Sequence, residues 1–101
     1  MILVRNVFRL KFGQAREGIA AWKEGLAIAE RAGVGSARYR LLTDLAGPDF
    51  YTLVLEATYG SLAEFEQSAQ AMMAVPEWRA WYPRVTALSV GGYREILNIV
   101  E

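Results

Sequence analysis

Ser36-Ala-Arg-Tyr-Arg-Leu-Leu-Thr-Asp-Leu-Ala-Gly-Pro-Asp-Phe-Tyr-Thr-Leu-Val-Leu-Glu-Ala-Thr-Tyr59 is the stretch on which the fold turns. From Ser36 to Leu45, one face of an extended chain carries Ala37, Tyr39, Leu41, Thr43 and Leu45, and the other Arg38, Arg40, Leu42 and Asp44. From Phe50 to Tyr59, Tyr51, Leu53, Leu55, Ala57 and Tyr59 alternate with Phe50, Thr52, Val54, Glu56 and Thr58. A period of two marks strands, because successive side chains point to opposite faces of a sheet. The intervening 46–49, Ala-Gly-Pro-Asp, is turn chemistry. Two strands so connected form an antiparallel hairpin.

The periodicity changes on either side. Upstream, Gln14 to Ala32 is rich in helix formers, with Ile19, Trp22, Leu26 and Ala29 at three- and four-residue steps. Gly33 stands where a C-terminal cap belongs. Gly18 and Gly25 each weaken this helix by about 1 kcal/mol against alanine, a cost consistent with close packing on a sheet. Before the helix, Ile2 to Phe12 alternates again and is closed by Gly13. Ile2, Val4, Phe8 and Leu10 share one face with Asn6; Arg5, Arg9 and Lys11 share the other with Leu3 and Val7. Downstream, Ser61-Leu-Ala-Glu64 is a capping box opening a helix with Leu62, Phe65, Ala69, Met72 and Met73 inward, stopped by Pro76. Glu77 to Arg84, with Trp78, Trp81 and Tyr82, reads as a short extra helical turn closed by Pro83. The extended region 85–100 is interrupted at Gly91-Gly92, and Arg94 to Val100 reads as the last strand. The order β-α-β-β-α-β is that of a ferredoxin-like α+β domain, two helices on one face of an antiparallel sheet, and 1–101 reads as one such domain.

Composition narrows the chemistry. Eleven basic and eleven acidic residues cancel, so no basic footprint for nucleic acid is present. There is no cysteine and no histidine, which removes disulfides, thiolate nucleophiles and the commonest metal ligand and general base. No metal or cofactor is expected. No apolar run is long enough to span a bilayer, and the start Met1-Ile-Leu-Val-Arg-Asn6 lacks signal-peptide character, so a cytoplasmic protein is expected. Hydrophobic residues make up 53% of the chain, more apolar surface than a domain of this size readily hides. Pairing with a second copy is a natural outlet.

The sheet face opposite the helices points the same way. It carries Leu3, Val7, Leu42 and Val54 beside Arg5, Arg9, Arg38, Arg40 and Glu56. That is too aliphatic for a purely solvated face and too charged for a core. A homodimer interface through Arg5, Val7, Arg9, Arg38, Arg40, Val54 and Glu56 is therefore expected, with arginines paired to Glu56, Asp44 or a partner chain. The competing reading is a solvated sheet with incidental aliphatics.

Several segments together carry a family resemblance: Arg5-Asn-Val-Phe-Arg-Leu-Lys-Phe-Gly13, Trp22, Tyr59-Gly-Ser-Leu-Ala-Glu-Phe-Glu66, Pro76-Glu-Trp-Arg-Ala-Trp-Tyr82 and Arg94-Glu-Ile-Leu97. On them the chain resembles the dimeric α/β-barrel superfamily, and within it the NIPSNAP-like group. The resemblance implies two ferredoxin-like units packed sheet to sheet as an eight-stranded barrel with helices outside. It fixes no activity, since the superfamily includes cofactor-independent monooxygenases, haem enzymes and proteins of unknown function. The missing histidine argues against a haem role like that of the haem-degrading members.

Asn6 is the polar residue among the apolar positions of the first strand. It is either a pocket amide that orients a ligand, as the resemblance implies, or a buried amide satisfied by its neighbours, the commoner case. Trp22, Phe65, Trp78, Trp81 and Tyr82 either line a cleft for a flat apolar ligand or form ordinary core. The ligand-binding set expected is Asn6, Trp22, Phe65, Trp78, Trp81 and Tyr82, with a small apolar or aromatic ligand between helices and sheet. A cofactor-independent oxygenase of an aromatic or quinol-like substrate is the second expectation, and a non-catalytic interaction module the third.

Overall fold

A computed structural model of the chain describes residues 1–34 and 38–101. Seven elements follow one another: β1 (Ile2–Leu10), α1 (Ala15–Arg31), β2 (Arg38–Thr43), β3 (Thr52–Tyr59), α2 (Leu62–Met73), α3 (Pro76–Thr86) and β4 (Ser89–Asn98). The sheet order is β2-β3-β1-β4 with every neighbouring pair antiparallel, a ferredoxin-like α+β arrangement. The thinnest extent is 17 Å, one sheet plus one layer of helices.

The local signals behave as their chemistry dictates. Glu64 N–H donates to Ser61 Oγ (3.2 Å), while the Glu64 carboxylate reaches back to the Gly60 N–H (2.9 Å). Gly33, at φ +69°, ends α1, and Val34 N–H returns to the Ala29 carbonyl at 3.1 Å. Gly18 lets Leu10 approach; a Cβ there would lie 2.7 Å from the leucine Cδ1. Gly25 admits the Trp81 ring of α3, not the sheet, with a Cβ position 2.3 Å from Cζ2. Trp81 is fully buried and its Nε1–H donates to the Ala21 carbonyl at 2.8 Å. Leu10, Trp22, Ile28, Leu53, Leu55, Trp81 and Val85 form the core between sheet and helices.

Among the described residues, the hairpin, the third helix and the last strand depart from the sequence reading. The expected start of the second strand at Ser36 and Ala37 lies outside the described residues. The hairpin connection is longer than 46–49: Tyr51 has φ 56°, which breaks the ladder, so β3 begins at Thr52 and not at Phe50. The Asp44 carboxylate closes the loop by accepting from Thr52 N–H at 2.8 Å.

The third helix is not a short turn closed by Pro83. It runs through Pro83 to Thr86 because Val85, two residues beyond, is buried against the core and holds the last turn in place. The Pro83 carbonyl still accepts from Ala87 N–H (3.2 Å). The final strand begins at Ser89 and passes through Gly91-Gly92. Gly92 crosses β1 so closely that a Cβ would sit 2.3 Å from the Val7 carbonyl oxygen. Pairing shifts from Arg9↔Gly91 to Leu10↔Ser89, leaving Val90 as a bulge residue.

Candidate functional site

Alternation along β1 directs Val4, Asn6, Phe8 and Leu10 toward the helices. The register sets Asn6 beside Leu55 of β3 and Arg94 of β4. Around this spot the helices stand away from the sheet and leave a cleft of about 490 Å³, within the usual range for small-molecule sites. Asn6, Phe8, Tyr39, Leu55, Tyr59 and Arg94 come from the strands. Helix α2 contributes Phe65, Ser68, Ala69, Met72 and Met73, a stripe at helical spacing, while α1 gives Trp22 and α3 gives Trp78 and Tyr82. The walls are aromatic: Phe8 stacks on Trp22 with centroids 4.9 Å apart, and Tyr59 meets Phe65 edge-on at 5.3 Å.

The polar groups are few and specific. Asn6 Oδ1 accepts a hydrogen bond from Arg94 Nε at 2.6 Å. The Arg94 guanidinium carbon lies 5.4 Å from the centroid of the Phe65 ring, a cation–π arrangement. Burial, with the neighbouring Tyr59 phenol acting in the same direction and Ser68 in the opposite one, pushes the Tyr39 hydroxyl up to about 12. Tyr39 is therefore a neutral phenol near neutral pH. The Trp22 indole Nε1 is buried and has no hydrogen-bond partner among the described residues. No aspartate or glutamate lines the cleft among the described residues.

Of the six residues expected to bind a ligand, Asn6, Trp22, Phe65, Trp78 and Tyr82 meet at this cleft. Trp81 does not. Its ring fills the space between α1 and α3 opposite Gly25, and its only polar atom is engaged by Ala21. Sequence reasoning missed Arg94, Tyr39, Tyr59 and Ser68. The two tyrosines carried a readable signal, a hydroxyl on the apolar face of each hairpin strand.

On the opposite face, one lateral row crosses all four strands as Arg40, Glu56, Arg5 and Glu95. Glu56 Oε2 accepts from Arg5 Nε (2.9 Å) and Oε1 from Arg40 Nε (3.0 Å), and Arg5 also meets Glu95. The Arg40 hydrogen bond, reinforced by Arg5, holds the Glu56 carboxyl below its ordinary value although burial opposes this. Val7 and Val54 of the expected interface set are already buried within the chain. They flank Leu42 and the 44–49 loop around a cavity of about 310 Å³. Arg9, Arg38 and Arg40 are exposed.

Among the described residues, no cluster of three or more acidic side chains could hold a metal ion, and no helix is long and apolar enough to cross a membrane.

Solved structures share this architecture. An uncharacterized NIPSNAP domain protein from Burkholderia xenovorans superposes with a TM-score of 0.86 at 20% identity, covering 99% of this chain and 95% of that one. A NIPSNAP family protein from Agrobacterium tumefaciens gives 0.87 at 21% identity, over 99% and 93%. SnoaB, a cofactor-independent oxygenase from Streptomyces nogalater, gives 0.72 at 17% identity, over 99% and 93%. No family model matches the sequence, and no curated protein does. At these identities the likeness establishes the fold alone.

Proposed function

We propose that this chain, which has the fold of NIPSNAP family proteins, binds a small apolar or aromatic ligand in the cleft between its helices and sheet. The observation that carries this reading is the cleft itself: aromatic walls around about 490 Å³, with a small convergent set of polar groups at Asn6, Arg94 and Tyr39. Flat apolar ligands gain from such walls, and the polar groups fix their orientation. Binding without turnover is the reading preferred over an oxygenase. Among the described residues, the lining supplies tyrosines and one arginine but no carboxylate or histidine to act as a base, and Tyr39 stays protonated.

The test is equilibrium binding of a neutral naphthalene derivative, followed by tryptophan fluorescence, to the wild type and to Ala69→Trp. Ala69 is exposed and lines the cleft, so the larger ring plugs the site without entering the core. Saturable binding that the variant loses supports the reading; equal binding by both proteins contradicts it.

The ligand-binding unit is proposed to be a homodimer joined through the sheet face opposite the cleft. The ion row there is internally neutral, which lowers the cost of covering it. Leu3 is half-buried, and Tyr93 and Leu97 stay exposed beside the row. Native mass spectrometry gives a dimer on this reading and a monomer against it.

A further inference from the structure

Arg94 differs from the ion-paired arginines in where it stands and what holds it. Arg5, Arg31, Arg40 and Arg84 each meet a carboxylate. Arg94 lines an apolar cleft and, among the described residues, has only the neutral Asn6 oxygen and the Phe65 ring face as partners. Strand alternation explains why its acidic sequence neighbour does not neutralise it. Glu95 emerges on the other side of the sheet and pairs with Arg5. The two contacts fix the guanidinium without cancelling its charge. Asn6 occupies Nε, which leaves the two terminal nitrogens, the end suited to a two-point grip on a planar anion.

The surrounding polar atoms are biased the same way. With the Asn6 carbonyl oxygen engaged, its amide nitrogen remains as a donor. Trp22 lines the cleft, and its buried Nε1–H has no partner among the described residues. A ligand matching this set presents acceptors and negative charge. A single cation balances one negative charge, which fits a carboxylate better than a doubly charged phosphate.

We infer that the cleft selects aromatic carboxylates, with the carboxylate on Arg94 and the ring system between the aromatic walls. This rests on the ligand-binding role proposed above for the same cleft.

The experiment compares naphthoate with naphthamide, its neutral counterpart of similar shape, by calorimetric titration of the wild type, Arg94→Gln and Arg79→Gln. Arg94 and Arg79 are both exposed, so neither change disturbs the core, and circular dichroism verifies folding. Arg79 makes the same change in net charge away from the cleft lining. The wild type and Arg79→Gln are expected to prefer the acid by about tenfold or more. Arg94→Gln is expected to lose that preference while holding the amide to within about twofold. Equal affinity of the wild type for acid and amide overturns the inference and leaves the cleft reading standing. So does a preference that survives Arg94→Gln or disappears in Arg79→Gln. Failure of the wild type to bind either compound overturns the cleft reading and this inference with it.

Discussion

Replacing Gly25 by alanine sets two effects of opposite sign against each other. Inside a helix, alanine is favoured over glycine by about 1 kcal/mol. The added methyl, however, falls 2.3, 2.6 and 2.7 Å from three atoms of the Trp81 ring. That ring has nowhere to go. It is fully buried, its indole nitrogen is tied to Ala21, and Trp22 and Trp78 pack against it with centroids 5.0 and 4.5 Å away. Overpacking of a filled core costs about 1–3 kcal/mol, and so close a contact with a fixed ring belongs at the upper end. The net expectation is a loss of about 2 kcal/mol, which lowers Tm by roughly 10 °C in a domain of this size. Urea and thermal unfolding, followed by tryptophan fluorescence, measure it. Gly18→Ala is the internal comparison. Its methyl meets the end of the flexible Leu10 side chain at 2.7 Å, so repacking offsets most of the clash and the change stays near neutral. A Gly25→Ala protein as stable as the wild type would refute the described approach of α1 to α3.

Glu56→Gln removes a buried carboxylate from between Arg5 and Arg40, and a loss of about 1–3 kcal/mol is expected, moderated because Arg40 is largely exposed. Because the folded carboxyl titrates below its ordinary 4.5, its contribution is present above that pH and is lost as pH falls through the folded value. Denaturant midpoints measured down through the acid range should therefore decline less steeply in Glu56→Gln than in the wild type. At the alkaline end, Tyr39 is raised from 10.0 to about 12, so between those values the unfolded chain releases a proton that the folded one keeps. Stability should fall with rising pH across that window, and Tyr39→Phe should flatten that slope.

Elements governed by neighbouring residues were legible in the sequence. The alternating hairpin strands, the amphipathic α1 with its Gly33 cap and the Ser61–Glu64 capping box each state their structure within a few positions. What escaped depends on distant partners. Pro83 is a helix breaker by local rule, yet α3 continues beyond it, with Val85 buried in the core and Ala87 N–H bonded to the Pro83 carbonyl. Gly91-Gly92 looks like an interruption until Gly92 is seen crossing β1 against the Val7 carbonyl. Trp78, Trp81 and Tyr82 share one face of α3 by spacing, so their sequence positions alone could not separate the cleft residues from the core residue Trp81. Asn6 was readable as an odd polar residue on an apolar face. Its partner Arg94 lies on the last strand, and that contact follows only from the β1–β4 register.

The three tryptophans offer a direct test of the cleft as a ligand site. Trp22 and Trp78 line it, whereas Trp81 lies outside with its indole N–H held by Ala21. Titrating naphthoate into isotope-labelled protein and following the three indole N–H resonances by NMR separates them in one experiment. The expected result is progressive, saturable shifts for Trp22 and Trp78, with the Trp81 resonance nearly stationary. Three stationary resonances, or a shift confined to Trp81, would contradict the account.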